Sequence, residues 1–219
     1  TYPGALTANA VDYSQSFTSD NVPPGITVSA PSPGASNGGD VTYTVNYTGA
    51  DMVALNSSYL TVTSTGSAAA ATVSTGGSGT ATRTITLSGI TGNGTLNVEI
   101  AAGTGRDNAG NQSASATGTA VVVDTTAPTL DITGPEPAVA NAAGMVVYTL
   151  IYNDNNPDTL AVPLEETDVT LIPDGLSTAA ATITVHETAD PLVWEVQLTD
   201  VEGDGDAWLA IAAGTAVDV

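Results

Sequence analysis

Ten loop residues of this chain carry short oxygen-bearing side chains: Asp20, Asp51, Asp107, Asn108, Asn111, Asp124, Asp154, Asn156, Asp158 and Asp218. They stand in "TSDNVPP", "TGADM", "RDNAGN", "VVVDTTAP", "NDNNPD" and "TAVDV", among Gly, Pro and further Asn. Calcium takes roughly six to eight oxygens from carboxylates, amides and backbone carbonyls at about 2.3–2.6 Å, and short Asp and Asn side chains on tight loops can supply them. The same residue types also close turns without any metal. Both readings stay open at this level, with Ca2+ as the expected ion. Arg106, beside "DNAGN", brings a competing positive charge to that loop.

Catalytic chemistry finds little support. His186 is the one histidine, Cys is absent, and no nucleophile-elbow Ser is present, so a Ser-His-Asp site lacks its partners. In "TVHET" the histidine reads as a strand surface residue. Glu165 and Glu166 are adjacent, and neighbours on a strand point to opposite faces, so they do not form a glycosidase pair. "STGGSG" (Ser74 to Gly79) precedes no helix and is a poor phosphate loop. "EGDGDAW" (Glu202 to Trp208) lacks the frame and closing glutamate of an EF-hand; a tight turn explains it better. The expectation is a protein that is not an enzyme.

The charge balance narrows the partners. The formal net charge is −21, with Arg83 and Arg106 the only cationic side chains besides His186. Such a surface repels nucleic acid and anionic membranes and attracts cations. No run approaches the ~20 apolar residues of a membrane span. The chain opens at Thr1 without an initiator Met or a leader, which reads as a mature or excised piece of a longer precursor. Without Cys or Lys, neither disulfides nor Lys–Asn isopeptide bonds are available to stiffen it.

The elements that must position these loops are strands. Gly, Ser, Thr and Val dominate short alternating runs separated by Gly, Pro and Asn, the pattern of an all-β protein. The pattern also repeats. Pro24, Pro31, Pro33 and Asn37 return in order as Pro128, Pro135, Pro137 and Asn141, Tyr43 and Tyr47 as Tyr148 and Tyr152, and "IAAGT" occurs at Ile100 and again at Ile211. Each copy predicts about seven strands. In the first, Val41, Tyr43, Val45 and Tyr47 share one face of "VTYTVNY", and Leu96, Val98 and Ile100 face inward. "ATGTAVVV" reads as a single last strand, whereas strand C is left undefined. In the second copy, Trp194 shares a face with Leu192, Val196 and Leu198 and belongs to the core. Trp208 lies opposite the Leu209 and Ile211 face and is expected to be exposed, as a ligand or subunit contact.

"GTGRDNAGNQS" (Gly103 to Ser113) followed by "VVVDTTAP" resembles the tandem immunoglobulin-like repeats of large bacterial surface proteins and adhesins. The resemblance implies two tandem immunoglobulin-like Greek-key β-sandwiches: a terminal segment 1–22, a first domain 23–124 and a second domain 125–219. It also implies strand directions that gather acidic loops at one pole of each sandwich, Asp20 with Asp51, Asp107, Asn108 and Asn111, and Asp124 with Asp154, Asn156, Asp158 and Asp218. The repeat phase places the end of a preceding repeat at the N-terminus, which leaves two readings open: an excised piece of a longer array cut twice in the same loop, or Tyr13, Ser14, Gln15, Ser16, Phe17, Thr18 and Ser19 as a donor strand for a domain that lacks its last strand. The expected role is that of an extracellular, cell-surface structural protein (an adhesin stalk, surface layer or fibre subunit) with calcium-stiffened junctions and copies of itself as partners. A glycan- or protein-binding adhesion module is the alternative.

Overall fold

The computed structural model describes residues 16–142, 144–155 and 160–218. In chain order the strands are β1 Gly25–Val28, β2 Ala35–Ser36, β3 Val41–Thr48, β4 Met52–Val53, β5 Leu60–Gly66, β6 Ala69–Gly76, β7 Thr82–Thr91, β8 Gly94–Ile100, β9 Gly105–Arg106, β10 Ala116–Thr117 and β11 Val121–Val123. They continue with β12 Thr129–Glu136, β13 Val146–Asn153, β14 Leu160–Ala161, β15 Val169–Pro173, β16 Ala180–Glu187, β17 Val193–Glu202, β18 Ala207–Ile211 and β19 Val217–Asp218. Short 3₁₀ turns lie at Ser57–Tyr59 and Glu166–Asp168. No helix among the described residues is long and apolar enough to cross a membrane.

Two-residue periodicity decides what each strand buries. On β3, Val41, Tyr43, Val45 and Tyr47 are buried while Thr42, Asn46 and Thr48 face solvent. The β3 row joins Ile85 and Leu87 of β7, Leu96, Val98 and Ile100 of β8, and Val121 and Val123 of β11 in one core. A second, separate core gathers Val146, Tyr148, Leu150 and Tyr152 of β13 with Val196 and Leu198 of β17.

The sheets repeat as the sequence does. The first half forms β1-β3-β7-β6 and the second β12-β13-β17-β16. The β5–β8 and β4–β9 pairs recur as β15–β18 and β14–β19. One edge differs. β8 pairs with β5 on one side and with β10 and β11 on the other, and β11 also runs parallel to β2. Among the described residues β18 pairs only with β15. As a result Leu96, Val98 and Ile100 are fully enclosed, whereas Ala207, Leu209 and Ile211 remain half-buried.

One strand expectation changes. "ATGTAVVV" is not one strand but β10 and β11, because the chain steps around the Tyr43 ring between them. The Tyr43 hydroxyl donates to Thr119 O at 3.0 Å, and a Cβ on Gly118 would approach the ring to 3.1 Å. Strand C, undefined in the sequence, is the two-residue β4, paired with β9.

Candidate functional site

At the first pole the turn chemistry satisfies itself. The buried Asp107 carboxylate accepts the Asn111 backbone N–H at Oδ1 (2.8 Å) and the Asn111 amide at Oδ2 (2.8 Å). That amide nitrogen also donates to Asp20 O at 3.0 Å, tying the incoming segment to the loop. Asp51 Oδ2 accepts Asn108 N at 2.8 Å. N–H groups thus link Asp51 to Asn108, Asp107 to Asn111, and Asn111 to the Asp20 backbone carbonyl, without gathering the three Asp side chains at one point. The Asn111 side chain holds the Asp107 carboxyl below its usual range, assisted by the backbone N–H groups of Asn111, Gly110 and Ala109, while burial opposes the shift. The Arg106 guanidinium packs near Gly110, so the positive charge stays beside this loop.

The second pole is built differently. Asp124 ends β11, its N–H donating to Ser36 O at 3.0 Å, and is only 3% exposed. Its Oδ1 accepts Thr126 N at 2.9 Å, but its Oδ2 is enclosed and meets no hydrogen-bond donor among the described residues. Asp154 repeats the pattern: Oδ1 accepts Asn155 N, and Oδ2 is buried without a partner among the described residues. Asn155 borders both groups, lining one cleft with Asn93 and Asp124 and the adjoining one with Asp154, Thr126 and Ala127. Asp218 sits opposite Leu160 in the β14–β19 pair. Asn156 and Asp158 lie outside the described residues. Among the described residues no three His, Cys, Asp or Glu side chains converge on one point. The two unpartnered carboxylate oxygens border separate clefts that share Asn155, and carboxylate oxygens are the hard donors that calcium takes.

Sequence reasoning missed the groups that seat the linker. Asn93, in the turn between β7 and β8, accepts Thr125 N at Oδ1 (2.9 Å) and donates to Thr126 Oγ1 (2.6 Å). Gly92 N donates to Thr125 Oγ1 at 3.1 Å. The turn itself admits only glycine at position 92, with φ +79° and the site of a Cβ 2.1 Å from Ser67 O. "TGNGT" advertised a turn, but nothing local marked Asn93 as the receptor for residues about thirty positions later.

Of the remaining singled-out residues, Trp194 packs against the second core and the others fall on the surface or in turns. Trp208 is 50% exposed on β18, across from the partly exposed Ile172. Trp194 is half-buried, its indole N–H donating to Pro191 O at 3.2 Å. His186 is exposed opposite Glu195. Glu165 and Glu166 do not occupy a strand: Glu165 precedes the Glu166–Asp168 turn, where its N–H donates to Asp168 Oδ2 at 3.0 Å. "EGDGDAW" is the turn joining β17 to β18, bound to the 174–178 loop through Thr178 N to Asp204 O at 2.9 Å. Ser16 to Ser19 are exposed and without regular structure, whereas Tyr13, Ser14 and Gln15 lie outside the described residues.

No protein-family model matches the chain, and no curated protein is significantly similar to it.

Proposed function

We propose that this chain is part of an extracellular structural protein, an adhesin stalk, surface layer or fibre, built from two immunoglobulin-like Greek-key sandwiches in series and stiffened by Ca2+ at the linker between them. The observation that carries the reading is the enclosed Asp124 Oδ2, unpartnered at the end of β11 and flanked by the loop that buries Asp154 Oδ2. An ionised oxygen removed from water without a partner costs several kcal/mol unless a cation meets it. Bound there, calcium would neutralise the two carboxylates and cross-link the linker to the 153–155 loop. The protein's own contribution is positional: Asn93 fixes the linker, Ser36 fixes the Asp124 backbone, and β11 carries the acid to the pole. The two separate cores and their matching sheets support the serial arrangement.

Calcium titration followed by calorimetry and small-angle scattering tests the reading. Calcium should raise the melting temperature and narrow the spread of interdomain angles, and chelation should reverse both. Indifference of both measurements to calcium would remove the ion from the proposal. The adhesion-module alternative draws on the exposed Trp208 and Ile172 pair, and glycan-array binding that is lost in Trp208→Ala would favour it.

A further inference from the structure

Among the described residues, the second core is open along one side. Pro137, Val139 and Ala140 on one wall and Gly205 and Ala207 on the other, with Tyr148 and Leu198 at its base, line a groove of about 190 Å³. Its position is set by the repeat. In the first half β11 lies between β8 and β2, with Val121 opposite Leu96, Val123 opposite Gly94, and Val123 beside Ser36. The shared "IAAGT" frame and the proline spacing make Ala207, Gly205 and Ala140 the counterparts of Leu96, Gly94 and Ser36. The groove is thus the place that β11 fills in the first half.

We propose that this groove receives residues 16–19 of a second copy of the chain, with Phe17 seated against Ala207. This inference rests on reading the protein as a serial structural assembly and specifies how its copies join. The register follows from the linkers. Asp20 stands before Pro24 as Asp124 stands before Pro128, which puts Ser19, Thr18 and Phe17 at the positions of Val123, Val122 and Val121. Phe17 is 90% exposed in its own molecule, and Asp20 O, held by Asn111, fixes where the segment leaves the first pole.

The side chains complement each other in size. Where the first half packs Val121 on Leu96, both fully buried, the joint packs Phe17 on Ala207. An isobutyl group becomes a methyl on the receiving strand and an isopropyl group becomes a benzyl on the incoming one, so the combined volume is nearly kept, the kind of exchange a packed core tolerates. The incoming backbone would pair with β18 on one side and with residues 139–140 on the other, covering an edge that otherwise exposes unpaired N–H and C=O groups. Tyr148, the counterpart of Tyr43, lines the groove.

The test uses the 219-residue chain and follows association by light scattering over a concentration series. Phe17→Val leaves a void and Ala207→Leu overfills the slot, so each should weaken association by roughly tenfold. Combining them recreates the Val121–Leu96 pairing and should restore it, which a mere folding defect would not do. Because the chain has no cysteine, Phe17→Cys with Ala207→Cys should give intermolecular disulfide ladders on oxidation, and Phe17→Cys with Ala210→Cys should not. Chains that stay monomeric at every concentration, or that associate regardless of both positions, overturn the inference. Calcium stiffening of the isolated chain would survive that result, and an assembly insensitive to chelation would remove the calcium reading while leaving this one.

Discussion

Tyr152 donates its phenolic proton to Thr215 Oγ1 at 2.8 Å within the second half, and Tyr47 makes the same 2.8 Å bond to Thr104 in the first. The two pairs occupy corresponding places in the repeat, each joining the four-stranded sheet to the loop after "IAAG". They anchor the loops that lead to Asp107 and Asp218, so they belong to the frame of both poles. Burial is the largest influence on each tyrosine and pushes its pKa up, while the threonine bond opposes it.

Tyr47→Phe or Tyr152→Phe leaves a threonine hydroxyl short of a partner and should cost about 1–2 kcal/mol in urea unfolding. Thr104→Val combined with Tyr47→Phe should cost less than the sum of the two singles, since both partners leave together. Additive losses would mean that the hydrogen bond carries no coupling.

The two poles should answer calcium differently. Asp124→Asn should abolish most of the calcium-dependent rise in melting temperature, because it alters the oxygen that no protein group satisfies. Asp107→Asn should leave that rise nearly intact while lowering stability without calcium, since Asp107 is already met by Asn111. Equal calcium responses in both variants would contradict the distinction.

Acid should act on the first pole through Asp107. Its folded pKa lies below the ordinary carboxylate value of 3.8, so its stabilisation is fully present above that value and disappears as pH falls from there through the lower folded pKa. Unfolding midpoints measured from pH 5 downward should fall more gently in Asp107→Ala than in the parent. Parallel curves would assign the acid sensitivity to other carboxylates.

The linker should loosen when its receptor is removed. Asn93→Ala deletes both side-chain bonds to Thr125 and Thr126, and limited proteolysis should then cut near residues 125–127 several-fold faster, with the melting temperature nearly unchanged. Unaltered cleavage would show that Asn93 does not hold the linker in solution.

The all-β class, the repeat and the inward faces of β3 and β8 were legible in the sequence because alternation is a local property with a period of two residues. The same locality identified the Asp and Asn turns. It also led "ATGTAVVV" to be drawn as one strand, since the break depends on a tyrosine that arrives from β3. Within the candidate site, the strand directions implied by the resemblance assigned Asp20, Asp51 and Asp107 to one pole. They could not say that Asn111 would satisfy Asp107 and Asn108 would meet Asp51 while Asp124 Oδ2 and Asp154 Oδ2 went without a partner among the described residues. Which carboxylate oxygen meets a donor, which turn holds the linker and which strand edge is left open all depend on backbone paths converging from distant positions. Sequence therefore determined the faces of the strands and the stock of oxygen donors, and tertiary structure alone decided which of those donors are buried unpaired and where a groove remains for another strand.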